Sequence, residues 1–148
     1  DNPQSTTDPF IDSSGNFKHK GRFNVTGKVL TYNDWIFKSQ SAGTYTIPVG
    51  ESLKFEINNT SSSLLYVYLP TLAELRTMIG TNGTEPFMFD VTIKASRSMT
   101  SKFTVVPGAG VSIYNANGSD ISYHDMSQGD STRFYFDGNA WNLLTYQA

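Results

Sequence analysis

Ser122, His124 and Asp125 stand close together in the chain, and they are the residue types of a nucleophilic triad. A triad works only when hydroxyl, imidazole and carboxylate converge in space, which near neighbours in sequence rarely do. The Gly-x-Ser-x-Gly turn that presents a serine nucleophile is absent. The other histidine, His19, belongs to a basic segment with Lys18, Lys20 and Arg22, read as a solvated stretch. Glycoside hydrolysis needs two facing carboxylates. Most Asp and Glu residues here fall in turns or at a helix start, where they have ordinary structural work. Asp120 and Asp125 could hold Ca²⁺ in a loop, but no Asp-x-Asp-x-Asp run accompanies them and they read as turn carboxylates. Gly108-Ala109-Gly110 precedes a strand rather than a helix, so it does not form a phosphate cradle. The expectation is a protein that is not an enzyme, with no catalytic residue, no metal and no cofactor.

Aromatic residues are the remaining chemical signal, at 14% of the chain. Phe55, Phe87, Phe89 and Phe134 lie in alternating strands and are expected in the core. Tyr32, Trp35, Tyr114, Tyr123 and Tyr146 are less determined. Tyrosine and tryptophan give stiff, amphipathic contact area, which suits carbohydrate or protein recognition. The simpler reading is that they cover the edges of a β-sandwich or pack between subunits. Tyr114, Tyr123 and His124 are the candidate receptor-binding residues.

The elements that must position these residues follow from the bulk numbers and the pattern. A length of 148 residues suits one self-sufficient domain. Charged residues make up 16%, below the roughly 25% of an average globular protein. Ser, Thr, Asn and Gly fill the gap, as in many extracellular and virion proteins. The net charge of −2 and the lack of a basic stripe argue against nucleic-acid binding. Without cysteine there is no disulfide framework and no thiolate metal site. No stretch approaches the ~18 apolar residues of a membrane-spanning helix, so membrane insertion is not expected. The chain begins Asp1-Asn2-Pro3, without Met or a visible signal peptide, and reads as a mature product or a piece of a longer chain. Asn-x-Ser/Thr sequons begin at Asn24, Asn58, Asn59, Asn82 and Asn117.

Residues 1–16 are polar and rich in turn formers, and short strand-like pieces around Phe17, Phe23, Val25 and Val29 follow. Residues 1–30 therefore read as an N-terminal arm, and 31–148 as the main domain. Thr44–Ile47, Leu53–Ile57, Phe87–Ile93, Phe103–Val106, Val111–Tyr114, Thr132–Phe136 and Trp141–Tyr146 are short strands. Leu64–Leu69 alternates little and is expected to be buried on both faces. Asn117-Gly118 and Asp137-Gly138 are hairpin signals, since both turn residues tolerate φ > 0. Thr71-Leu72-Ala73-Glu74 is a capping box that opens a helix over 72–79, stopped by Gly80 and plugging one end of a sandwich. Eight to ten short strands with turns every ten or so residues predict an all-β fold, an antiparallel β-sandwich or jelly roll with one short helix. No βαβ alternation occurs, which argues against a parallel α/β sheet.

Several runs carry a resemblance. Leu69-Pro70-Thr71-Leu72-Ala73-Glu74-Leu75 resembles a strand-to-helix segment of fibre and capsid-associated proteins of large DNA viruses and their relatives. Pro86-Phe87-Met88-Phe89-Asp90-Val91-Thr92-Ile93 and Gly108-Ala109-Gly110-Val111-Ser112-Ile113 continue it. The close, Gly129-Asp130-Ser131-Thr132-Arg133-Phe134 and Asp137-Gly138-Asn139-Ala140-Trp141, is similar to the ends of phage tail-fibre and spike modules. Gly15-Asn16-Phe17 and Val25-Thr26-Gly27-Lys28-Val29 look like the end of a fibre shaft. The likeness covers 69–146 and, loosely, 15–30, and its motifs are structural, so no catalytic or contact residue transfers. It implies the head of a viral fibre or spike on the virion surface. Such a head is a homotrimer that meets a host-cell receptor, glycan or protein, and joins capsid or tail proteins on its N-terminal side. Short strands that cannot bury themselves can do so around a threefold axis. The alternative is a carbohydrate-binding module or lectin domain of a secreted protein, which would bind sugar through exposed Tyr or Trp. A tailspike depolymerase is disfavoured, because those resemble longer β-helices with acidic clusters.

Overall fold

In a computed structural model, the described residues are 10–11, 13–18, 35–48, 53–79 and 89–144. The chain divides into two compact units, residues 1–32 and 33–148. In the first, β1 (Phe10–Ile11) and β2 (Phe17–Lys18) form an antiparallel pair, with Gly15 at φ 81° in the turn. The strand-like pieces expected around Phe23, Val25 and Val29 lie outside the described residues, as do His19, Phe87, Gly80 and Tyr146.

The second unit is β-rich with one short helix. The chain repeatedly steps between two sheets. β3 (Ile36–Gln40) leads to β4 (Gly43–Thr46), β5 (Lys54–Asn59) to β6 (Leu65–Tyr68), and β7 (Phe89–Ala95) to β8 (Phe103–Val106). The first member of each pair joins a seven-stranded sheet and the second a four-stranded sheet. α1 (Leu72–Ile79) sits in the connection from β6 to β7. Then follow β9 (Ile113–Tyr114), β10 (Asp120–Ile121), β11 (His124–Met126), β12 (Ser131–Phe136) and β13 (Trp141–Leu144). The seven-stranded order is β10-β9-β13-β12-β7-β5-β3, and the four-stranded order is β11-β8-β6-β4.

This corrects the antiparallel expectation. β3, β5 and β7 run parallel, as do β4, β6 and β8, and β9 runs parallel to β13. The three strand pairs stack as successive rungs, and β12 and β11 close the stack antiparallel to β7 and β8. The physical reason lies in the connection. A parallel return needs a crossover, and helices usually supply it. Here each crossover between the stacked rungs runs through a strand of the other sheet, with α1 added only between β6 and β7, so no regular strand-helix alternation betrays it. A subtler signal was present: Pro48, Pro70 and Pro107 follow the second strand of successive rungs.

Residues in register form continuous apolar columns. Ile36, Phe55 and Ile93 align in one sheet, and Tyr45, Val67 and Val105 in the other. Phe55, Ile57, Leu65, Val67, Ile93, Phe103, Phe134 and Trp141 are all buried in one core cluster fed by both sheets. Burying each such side chain contributes about 1.5–3 kcal/mol. Among the expected core aromatics, Phe55 and Phe134 are confirmed; Phe89 lies on β7 without a described side chain. β6 departs from the expectation of burial on both faces. Leu65, Val67 and Leu69 point inward, while Leu64 and Tyr66 are exposed.

Local chemistry fixes the ends of elements. The α1 cap forms as the sequence predicts: Glu74 N donates to Thr71 Oγ1 at 3.1 Å and Thr71 N to Glu74 Oε2 at 2.8 Å. Both hairpin signals also hold, joining β9 to β10 and β12 to β13. In each dipeptide only the glycine takes positive φ; Asp137 Oδ1 instead accepts from Asn139 and Ala140 N–H. At the β3–β4 corner, Ala42 is forced to φ 98°. Left-handed backbone costs an L-residue about 1–2 kcal/mol, partly offset by the ~0.5–1 kcal/mol entropy cost of a glycine. Ala42→Gly is therefore expected to raise the melting temperature by a few degrees; a lower melting temperature would contradict this strain.

Candidate functional site

The outer face of the four-stranded sheet carries a shallow groove of about 420 Å³, inside the ~300–1,000 Å³ range of small-molecule sites. Strand register builds it. Tyr66 on β6, Thr104 on β8 and Asp125 on β11 form one row across the sheet. Tyr68 and Val106 form the next row, and Tyr123, just before β11, continues it. Neighbouring strands are about 4.8 Å apart, so Tyr68 and Tyr123 flank Val106 at roughly 10 Å from one another. Leu64 and Lys102 precede β6 and β8 at the other end, and Ser122 completes the lining. Tyr66 and Tyr123 are 39% and 58% exposed, so their ring faces are available to a ligand.

One polar cluster anchors the groove. Lys102 Nζ donates to Asp125 Oδ2 at 2.5 Å, and Thr104 Oγ1 donates to Asp125 Oδ1 at 2.7 Å. The Lys102 hydrogen bond, helped by Thr104, holds the Asp125 carboxyl below its ordinary 3.8 despite partial burial. Asp125 in turn raises the Lys102 amine.

The three candidate receptor residues are not brought together. Tyr123 lines this groove. His124 is its neighbour but turns inward, in register with buried Val105. Its ring meets Phe134 edge-on at 6.0 Å between centroids, and Nε2 lies 3.4 Å from Thr132 Oγ1. Tyr114 stands in register with Asn142 on β13, on the other sheet. Ser122, His124 and Asp125 do not converge either, because His124 and Asp125 alternate to opposite faces of β11. Tyr66 and Tyr68 were missed as binding candidates. Their alternation with Leu65 and Val67 was the available signal.

Burial holds the His124 imidazole below its ordinary 6.5, against the opposite pull of Asp130 and Asp125. A group depressed in this way takes up its proton more readily in the unfolded chain. Its contribution to stability is present above about pH 6.5 and is lost as pH falls through the folded value. Stability should thus decline first below pH 6.5, and again in the carboxylate range as Asp125 protonates. His124→Gln should flatten the upper step; an unchanged profile in denaturant titrations would refute that assignment.

A larger groove of about 820 Å³ lies on the seven-stranded sheet, lined by Thr92, Asn115, Arg133, Asn142 and Leu144 among others. Its principal polar groups are engaged locally. Arg133 pairs with Asp90, Asn142 Nδ2 donates to Asp137 Oδ2 at 3.0 Å, and Asn115 Oδ1 accepts from Asn117 and Ser119 N–H. The tyrosine groove is the stronger candidate despite its smaller size, because exposed tyrosines line it, whereas among the described residues no aromatic side chain lines the larger groove. Among the described residues no three His, Asp or Glu side chains are grouped to hold a metal ion.

Comparison with protein families, with curated proteins and with solved structures finds no match for this chain.

Proposed function

We propose that the chain is a non-enzymatic attachment module, the head of a viral fibre or spike that binds a host-surface receptor as a homotrimer. The observation that carries this reading is the convergence of Tyr66, Tyr68 and Tyr123 on one exposed groove with a fixed polar cluster. Exposed tyrosines on a rigid sheet are recognition surface at low entropy cost. The resemblance of residues 69–146 to fibre and spike modules supplies the viral context. In this reading the two sheets are the sandwich of the head, and the N-terminal residues lead to capsid or tail proteins.

Light scattering at micromolar concentration tests the assembly, and a trimer is expected. Purified protein should also block attachment of the parent particle to its host cells. A monomer that leaves attachment unaffected would overturn the proposal. The second reading, a carbohydrate-binding module of a secreted protein, is favoured by the same tyrosines. A monomer that binds glycans through them would select it.

A further inference from the structure

We infer that the tyrosine groove is a subsite for a neutral pyranose, a sugar ring bearing hydroxyls but no carboxylate, sulfate or phosphate. This rests on the reading of the chain as a binding module and names the ligand class of its groove.

Charge is the first constraint on the ligand. Among the described residues Lys102 and Asp125 are the charged side chains lining the groove, and they face one another at 2.5 Å. Their charges cancel, so an anionic sugar would find no uncommitted cation and would meet the carboxylate of Asp125. A polyanion such as a nucleic-acid strand is disfavoured for the same reason.

The polar cluster nevertheless retains capacity for hydroxyls. A carboxylate offers about four lone-pair sites, and an ammonium three donors. Asp125 uses one bond on each oxygen, to Lys102 and Thr104, and Lys102 uses one donor, to Asp125. The pair thus presents spare acceptors and donors side by side, which matches adjacent ring hydroxyls that both give and accept. Both groups are held in place before any ligand arrives, so little ordering cost is added on binding.

The apolar side completes the match. A pyranose ring has a C–H face as well as a hydroxyl edge. Tyr68 and Tyr123 flank Val106, and Tyr66 stands beside Thr104, so ring faces and an aliphatic floor lie next to the hydroxyl-binding edge. An amphipathic ligand of this shape satisfies both halves of the groove. A purely apolar ligand would strip water from Asp125 and Lys102 without replacing its hydrogen bonds.

The test uses the whole chain. Methyl galactosides, glucosides and mannosides are titrated by calorimetry and NMR, beside sialylated and sulfated counterparts built on the same sugars. At least one neutral glycoside is expected to bind, and to bind better than its anionic counterpart. Tyr66→Ala and Tyr123→Ala should each weaken it by about tenfold or more with melting temperatures near wild type. Asp125→Asn should weaken neutral binding and, by releasing Lys102, shift preference toward the anionic sugars. Leu144→Ser, on the other sheet, should change nothing. Preference for anionic sugars in the unaltered protein, or neutral binding that survives the Tyr66→Ala/Tyr123→Ala double variant, would overturn the inference. Trimeric protein that blocks host attachment but binds no neutral glycoside would overturn the sugar subsite and leave the attachment reading standing. A monomer that binds neutral glycosides through these tyrosines and fails to block attachment would do the reverse.

Discussion

Gly108→Ala is expected to destabilise the main unit by about 3 kcal/mol or more, beyond ordinary overpacking, because the obstacle is backbone rather than a yielding side chain. A Cβ at Gly108 would fall 2.6 Å from the Leu69 carbonyl oxygen and 2.5 Å from the Pro70 carbonyl carbon, with the Pro70 oxygen also in contact. Gly108 follows the end of β8, and Leu69-Pro70 follow the end of β6, so two parallel strands leave their sheet at one pinch point. Leu69 N donates to Val106 O at 2.9 Å, and Leu72 N donates to Ala109 O at 3.1 Å. Pushing the chains apart to admit a methyl group strains both bonds and the start of α1. A fall in melting temperature of about 10 °C or more is expected. Gly118→Ala is the control: its φ of 79° carries a left-handed cost of about 1–2 kcal/mol, but a Cβ there meets nothing within 4 Å. If both variants lose the same stability, close approach is not what Gly108 serves.

Asn59→Asp should be nearly as damaging although it changes almost no volume. Asn59 is fully buried, and its amide Nδ2 donates to Ser63 O at 3.0 Å and to Lys102 O at 3.2 Å. Its Oδ1 accepts from Ser61 N–H, and its own carbonyl accepts from Thr100 N–H. A carboxylate would set an acceptor against two carbonyl oxygens in a dry site. The expected cost is about 3 kcal/mol or more, since both acceptors lose their donor and a charge is buried unpaired. The bonded carbonyls belong to Ser63 and Lys102, beside the starts of the two strands that carry Tyr66, Tyr68 and Thr104. Equilibrium denaturation should therefore show lost stability that worsens with rising pH as the carboxylate ionises. An Asn59→Asp protein as stable as wild type at neutral pH would remove this amide from the account. The same burial separates Asn59 from Asn117 as an acceptor for glycosylation: the Asn59 side chain is enclosed, whereas Asn117 is exposed in its turn.

Gln40 shows that the Asn59 device recurs. At the end of β3 its side-chain Nε2 donates to Ala42 O at 3.2 Å and Thr44 O at 2.7 Å, again tying a strand end to the corner that follows. Inward-facing Lys38 lies 5.3 Å from the Tyr45 ring centroid on the same terminal rung. A charged residue on the inner face of an edge strand discourages further strands from adding there. Neither role was legible beforehand, because Gln40, Lys38 and Asn59 look like ordinary polar residues until the register sets Lys38 beside Ile57 and Gln40 beside Asn59 at the corner carbonyls.

Local physics was readable in the chain alone. The capping box of Thr71 and Glu74, the glycine turns at Gly118 and Gly138, and the period-2 burial of Phe55 and Ile57 depend on neighbours a few residues away, and each stands where the residues imply. Strand direction and the binding face did not follow, because they depend on distant partners. Leu64–Leu69 could be buried on both faces or open on one. Tyr66 is exposed among the described residues, which decides that, and no residue inside the segment encodes it. His124 and Tyr123 are adjacent in sequence and chemically alike as candidates, yet alternation sends one toward Phe134 and the other to the groove. The sequence by itself determined the β character, the helix, the turns and most of the core. Tertiary pairing alone decided that the strands stack in parallel rungs, and so which tyrosines share a surface, because strand register is an agreement between segments tens of residues apart.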